Sequence, residues 1–158
     1  MRTKHYSILL LFIIAISAKT FGAIASPGKM VFIYKGCTDC HGNEGDGGER
    51  YKAPKIAGQE EWYISARLRK FKNEIRGVNA KDDNGKIMAS VSQSLSDKKI
   101  DDVARYLSRL NSNAKHTLTD GNKQNGKNLY EKHCTVCHGD KAQGNPLLKS
   151  PKLAGIND

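Results

Sequence analysis

Apolar residues recur at helical spacing in three stretches of this chain. In EEWYISARLRKFKNEIRG, Ile64, Leu68, Phe71 and Ile75 follow at steps of four and three, which puts them on one face of an amphipathic helix closed by Gly77. In SDKKIDDVARYLSRLN, Ile100, Val103, Ala104, Leu107 and Leu110 make a single apolar stripe, and Ser96 stands where a side-chain oxygen caps the first turn. In SPGKMVFIYKGC, Ser26 as cap and Pro27 in the first turn predict a helix that carries Val31, Phe32 and Tyr34 towards Cys37, with Met30 expected in the core. NGKIMASVSQSLS, between the second and third of these helices in chain order, reads as a loop bearing Met88. No stretch alternates strictly between apolar and polar, so the expected fold class is all-α.

The first 25 residues follow a different pattern. Arg2 and Lys4 precede an apolar run from Ile8 to Ala18, and small residues stand at Ala23 and Ala25. This is the pattern of a secretory signal peptide cleaved after Ala25, and the run is shorter than the roughly 20 residues a membrane-spanning helix needs. The expected mature chain therefore lacks a transmembrane segment and works outside the cytoplasm. Cleavage would remove 3 of the 26 basic residues and none of the 16 acidic ones, leaving a formal charge of +7. That excess is spread along the chain, which argues against nucleic acid and suits an acidic protein partner or simple solubility.

Two phrases occur twice. CTDCHG at 37–42 returns as CTVCHG at 134–139, and APKIAG at 53–58 returns as SPKLAG at 150–155. Subtracting 37 from 134 gives an offset of 97, and the same shift carries His41 onto His138, Gly47 onto Gly144 and Pro54 onto Pro151 without a gap. A duplicated domain follows. The expected organisation is a signal peptide over 1–25, a first domain over 26–110, a polar linker over 111–120, and the N-terminal part of a second domain over 121–158.

All four cysteines lie in the duplicated Cys-x-x-Cys-His phrase. Two thiols about one helical turn apart can add across the two vinyl groups of a haem, and the adjacent imidazole can reach the iron. Cys37 and Cys40 would hold one haem with His41 as axial ligand, and Cys134 and Cys137 a second with His138. A zinc site built from the four cysteines would leave both histidines idle, and a thioredoxin-like pair normally sits between a strand and a helix. Met88 is the candidate ligand for the other face of the first iron, a soft donor that favours the ferrous state. The carbonyl oxygens of Pro54 and Pro151 would accept from the far nitrogens of His41 and His138 and so orient the rings.

With CTDCHG, APKIAGQ, Met88 and the closing LSDKKIDDVARYLSRL in that order, the first unit resembles a class I cytochrome c. The signal peptide and two units together resemble the dihaem cytochrome c4 family, and are similar to the dihaem subunit of flavocytochrome c sulfide dehydrogenase. The resemblance implies tandem cytochrome c folds, two haem c groups, a periplasmic location and electron transfer between respiratory redox partners, a flavoprotein or a terminal oxidase among them. No acid/base pair or nucleophile stands outside the haem ligands, so the expected role is an electron carrier and not an enzyme. The second unit departs from the pattern. The counterpart of Met88 would be residue 185, and the sequence ends at Asp158. Either the second unit is an incomplete copy, the reading favoured because so short a unit buries little surface, or the second iron keeps an open face. His116 and His133 are the remaining histidines near it, one in the linker and one constrained beside Cys134.

Overall fold

The structure is a computed structural model that describes residues 25–111 and 121–155. Residues 1–24 of the expected signal peptide, most of the expected linker and His116 lie outside the described residues. The first unit contains five helices: α1 (Pro27–Tyr34), α2 (Cys37–His41), α3 (Glu61–Lys72), α4 (Asp83–Gln93) and α5 (Asp97–Ser108). The second contains α6 (Lys123–His133) and α7 (Thr135–His138). The described residues form no strand, only isolated bridges at Gly48↔Ala53 and Asn145↔Ser150, themselves related by the 97-residue offset.

The caps at Ser26 and Ser96 form as expected, accepting from the backbone N–H groups of Lys29 and Lys99. Both satisfy a donor that the first helical turn would otherwise leave unpaired. The stripe on α5 is buried throughout at Ile100, Val103, Ala104 and Leu107. It packs against Val31 and Phe32 of α1, Ile64 of α3 and Leu95, which together form the core. Phe32 and Tyr106 meet with ring centroids 5.9 Å apart. The two helices approach closely at Gly28, where a Cβ would overlap the Asp102 carbonyl oxygen and the Tyr106 Cβ.

Three local expectations are corrected. The helix expected to run to Gly77 ends at Lys72 with Asn73 as its cap, and Ile75 is 65% exposed. Past Asn73 the chain turns back, with the N–H groups of Ile75 and Arg76 both donating to Lys70 O. Gly77 instead allows close contact with α4, because a Cβ there would overlap the Gly85 carbonyl. Met30 is 39% exposed and outside the core, since α1 turns Val31 and Phe32 inward. The segment read as a loop is helix α4, capped by Asp82, whose carboxylate accepts from Gly85 N at 2.7 Å.

The second unit repeats the first as far as its described residues go. Gly47 N donates to His41 O and Gly144 N to His138 O; Ile56 and Ala57 donate to Gly45 O, and Leu153 and Ala154 to Ala142 O. Burial differs: Phe32 is 1% exposed under α5, whereas Leu129, its counterpart at the offset, is 51% exposed. Among the described residues, no counterpart of α5 covers α6.

Candidate haem site

Helix α1 delivers the chain to Gly36, whose φ of 69° turns it directly into α2. On α2, Cys37 and Cys40 stand three residues apart and so share a face, with His41 buried beside them. A loop then returns the chain, closed by the Gly48↔Ala53 bridge, and brings Pro54 O to 2.9 Å from His41 Nδ1. A carbonyl only accepts, so Nδ1 carries the proton and the lone pair is left on Nε2, the arrangement an iron ligand requires. Burial lowers the His41 pKa below the usual imidazole value, while the Pro54 carbonyl works in the opposite direction. Burial, the larger effect, favours the neutral ring, and the hydrogen bond orients it.

The second phrase builds the same geometry. His138 Nδ1 lies 2.8 Å from Pro151 O, again thirteen residues along the chain. The loop between them is closed by Asn145↔Ser150, and Gly144 takes a φ of 84° where Gly47 has 94°. Gly144 must be glycine for a second reason, since a Cβ there would crowd the Lys152 amide.

None of the four cysteines is paired in a disulfide. Burial is the main cause that pushes the Cys37 thiol up to about 11, with Asp39 and Cys40 adding to it and a backbone hydrogen bond opposing. Among the described residues, no group of three or more His, Cys, Asp or Glu side chains is gathered as a metal cluster. The structure thus does not bring the two cysteine pairs together as a four-thiolate zinc site would require.

Met88 is half-buried on α4 and not in a loop. One turn further along the same helix, the hydroxyl of Ser92 is fully buried without a hydrogen-bond partner, and the indole Nε1 of Trp62 on α3 is buried and unpaired in the same way. Such orphans are uncommon in native proteins and cost about 1–3 kcal/mol each. Two unsatisfied polar atoms, two neighbouring thiols and an imidazole with a free lone pair fit a unit completed by a prosthetic group. Sequence reasoning had not singled out Trp62, the only tryptophan in the chain, or Ser92.

Helices around paired thiols and a carbonyl-oriented histidine define the class of covalent haem proteins. The sequence model described as cytochrome c matches residues 25–111, and one described as cytochrome c oxidase, cbb3-type, subunit III matches residues 121–157. The chain belongs to the cytochrome c family, and within it is cytochrome c4-like. It is 30% identical over 83 residues to cytochrome c4 of Azotobacter vinelandii, covering 52% of this chain and 38% of that protein. It is 33% identical over 129 residues to cytochrome c-552 of Acidithiobacillus ferridurans, covering 75% of this chain and 54% of that one. The chain therefore spans about half or less of these relatives' length. The solved cytochrome c4 of Acidithiobacillus ferrooxidans superposes with a TM-score of 0.62 at 30% identity, covering 77% of this chain and 73% of the other.

Proposed function

We propose that this protein is a periplasmic dihaem c-type cytochrome that carries single electrons between respiratory redox proteins. The observation that carries the reading is the recurrence of one hydrogen bond: His41 to Pro54 at 2.9 Å and His138 to Pro151 at 2.8 Å. A structural accident would not orient both imidazoles alike at the same distance from duplicated thiols. In this reading Cys37 and Cys40 attach the first haem and Cys134 and Cys137 the second, with His41 and His138 as axial ligands and Met88 on the other face of the first iron. The haem supplies an iron that gains and loses one electron. The chain's residues would hold it: the Pro54 and Pro151 carbonyls fix the orientation of the two rings and leave Nε2 of each free to face the iron. A rigid set of ligands suits electron transfer because little has to reorganise when the charge changes.

The organisation we infer is a signal peptide over 1–25, a first domain over 26–110, a linker over 111–120 and a second domain beginning at 121. The N-terminal pattern supports export, and no helix among the described residues is long and apolar enough to cross a membrane. The net basic charge supports partners with acidic surfaces. The match of residues 121–157 to an oxidase-subunit family favours a terminal oxidase among them. It also supports a second reading, in which the chain is the haem-bearing part of an oxidoreductase.

The deciding experiment is expression with its signal peptide in a host that matures c-type cytochromes, followed by intact-mass analysis and a redox titration. The expected result is a mass increase of two haems, loss of residues 1–25, and two one-electron steps. A single haem, or none, rejects the dihaem carrier.

A further inference from the structure

The two units touch through the segments that orient their histidines. Lys55 Nζ donates to the carbonyl oxygen of Gly155 at 2.5 Å, and the backbone N–H of Lys152 donates to Glu60 Oε1 at 3.0 Å. Among the described residues no helix of one unit packs against a helix of the other, so the junction is made loop to loop. The junction borders a cavity of roughly 360 Å³ lined by Lys55 and Lys152, Ala57 and Ala154, and Gly58 and Gly155. Each of these three pairs is related by the 97-residue offset.

A duplicated pair meeting about a local two-fold would make each contact twice, once in each direction. Here the equivalent lysines do different things. Lys55 is only 8% exposed and its ammonium ends on Gly155 O, whereas Lys152 is exposed and contributes its backbone to Glu60. Lys55 also follows directly on Pro54, whose carbonyl holds His41, and Gly155 closes the segment that begins at Pro151, whose carbonyl holds His138. One buried side chain therefore joins the two stretches of backbone that orient the two imidazoles. Hydrogen bonds to charged donors are among the stronger ones, and a buried ammonium that loses its acceptor is strongly penalised. Both effects keep the link closed.

We propose that Lys55 is a positioning residue that fixes the two cytochrome units against each other and, through that junction, contributes to the difference between their iron sites. The inference rests on the reading that both Cys-x-x-Cys-His phrases carry haem. The Cys-x-x-Cys-His and proline phrases of the two sites are near copies, while α3, α4 with Met88, and α5 have no counterpart among the described residues of the second unit, so the link at Lys55 adds to a difference already present. A fixed positive charge in partly buried surroundings favours the reduced, less positive state of the nearer iron. A link made in one direction only adds to that asymmetry, and it also holds the separation across which an electron passes between the units.

The test compares holo Lys55→Met with the parent, with Lys55→Arg as the conservative variant and Lys152→Met as the matched control. Intact mass counts the haems, a spectroelectrochemical titration gives the ratio of the two reduction constants, and small-angle scattering reports the arrangement of the units. Lys55→Met is expected to keep both haems, change that ratio at least threefold and enlarge the radius of gyration. Lys55→Arg should restore most of both, and Lys152→Met should resemble the parent. If Lys55→Met fails to mature, Glu60→Ala cuts the other half of the junction and is expected to shift the same two quantities. A parent with fewer than two haems overturns the dihaem reading and this inference with it. Two haems with parental ratio and scattering in the variant overturn the role of Lys55 alone.

Discussion

The carbonyl oxygen of Pro54 lies 2.9 Å from Nδ1 of His41, so a backbone group thirteen residues away sets which ring nitrogen is protonated. The thiols beside the ring do not depend on that bond. On the proposed reading, His41→Ala should therefore leave the first haem attached while removing its axial nitrogen. The expected outcome is unchanged intact mass and the uptake of about one additional equivalent of carbon monoxide relative to the parent. Unchanged carbon monoxide binding would show that His41 is not a ligand.

Gly28 stands where α1 meets α5. A methyl group there would overlap backbone at Asp102 and the Tyr106 Cβ, neither of which is the free end of a flexible side chain. Gly28→Ala should destabilise the first unit by about 1–3 kcal/mol through overpacking. A urea denaturation curve followed by circular dichroism measures this, and a midpoint equal to the parent's would contradict the close approach.

Ser92 and Trp62 bury polar atoms that find no partner within the protein. In the haem-free chain, Ser92→Ala and Trp62→Phe should be neutral or stabilising, because each removes a desolvated group worth about 1–3 kcal/mol. If the prosthetic group supplies a partner, at least one of the two changes should become destabilising in the holo protein. Thermal melts of both forms provide the comparison, and the same sign of effect in both would dissociate these atoms from the haem.

Burial raises the Cys37 thiol from 9.0 to about 11 in the fold. The native state holds its proton where the unfolded chain has released it, so this group's contribution to stability is present below pH 9.0 and lost as pH rises towards about 11. The thiolate is the nucleophile. In the haem-free folded chain, iodoacetamide should therefore label Cys37 slowly at pH 8 and faster with each step towards pH 11. Peptide mass mapping after timed quenching reads this directly. Labelling at the unfolded rate at pH 8 would contradict the burial.

The parts of the fold that were legible in the sequence are those where burial follows the apolar pattern. Helix α5 is the clearest case, since Ile100, Val103, Ala104 and Leu107 are all large or small apolar residues on one face and all are buried. Helix α4 inverts the rule. Its buried face is Gly85, Ala89 and Ser92, while Ile87 is 51% exposed. Small residues carry little hydrophobic signal, and they are there because α4 lies close to the chain at Gly77, a contact that only the packed structure reveals. The end of α3 was misplaced for a related reason: Ile75 fits the helical spacing, but the chain turns at Asn73 and leaves it in solvent.

The sequence by itself determined the duplicated cysteine phrase, the 97-residue offset and the pairing of each histidine with a proline thirteen residues on, because these depend on residue identity and short spacing. Only the tertiary structure decided that Met88 is presented by a helix, that Trp62 and Ser92 bury unpaired polar atoms, and that Lys55 reaches Gly155 while Lys152 does not reach back. Those features join positions tens of residues apart. Which of them meet is set by how the packed elements share space, and two lysines that look equivalent in the repeat become different once only one of them is buried.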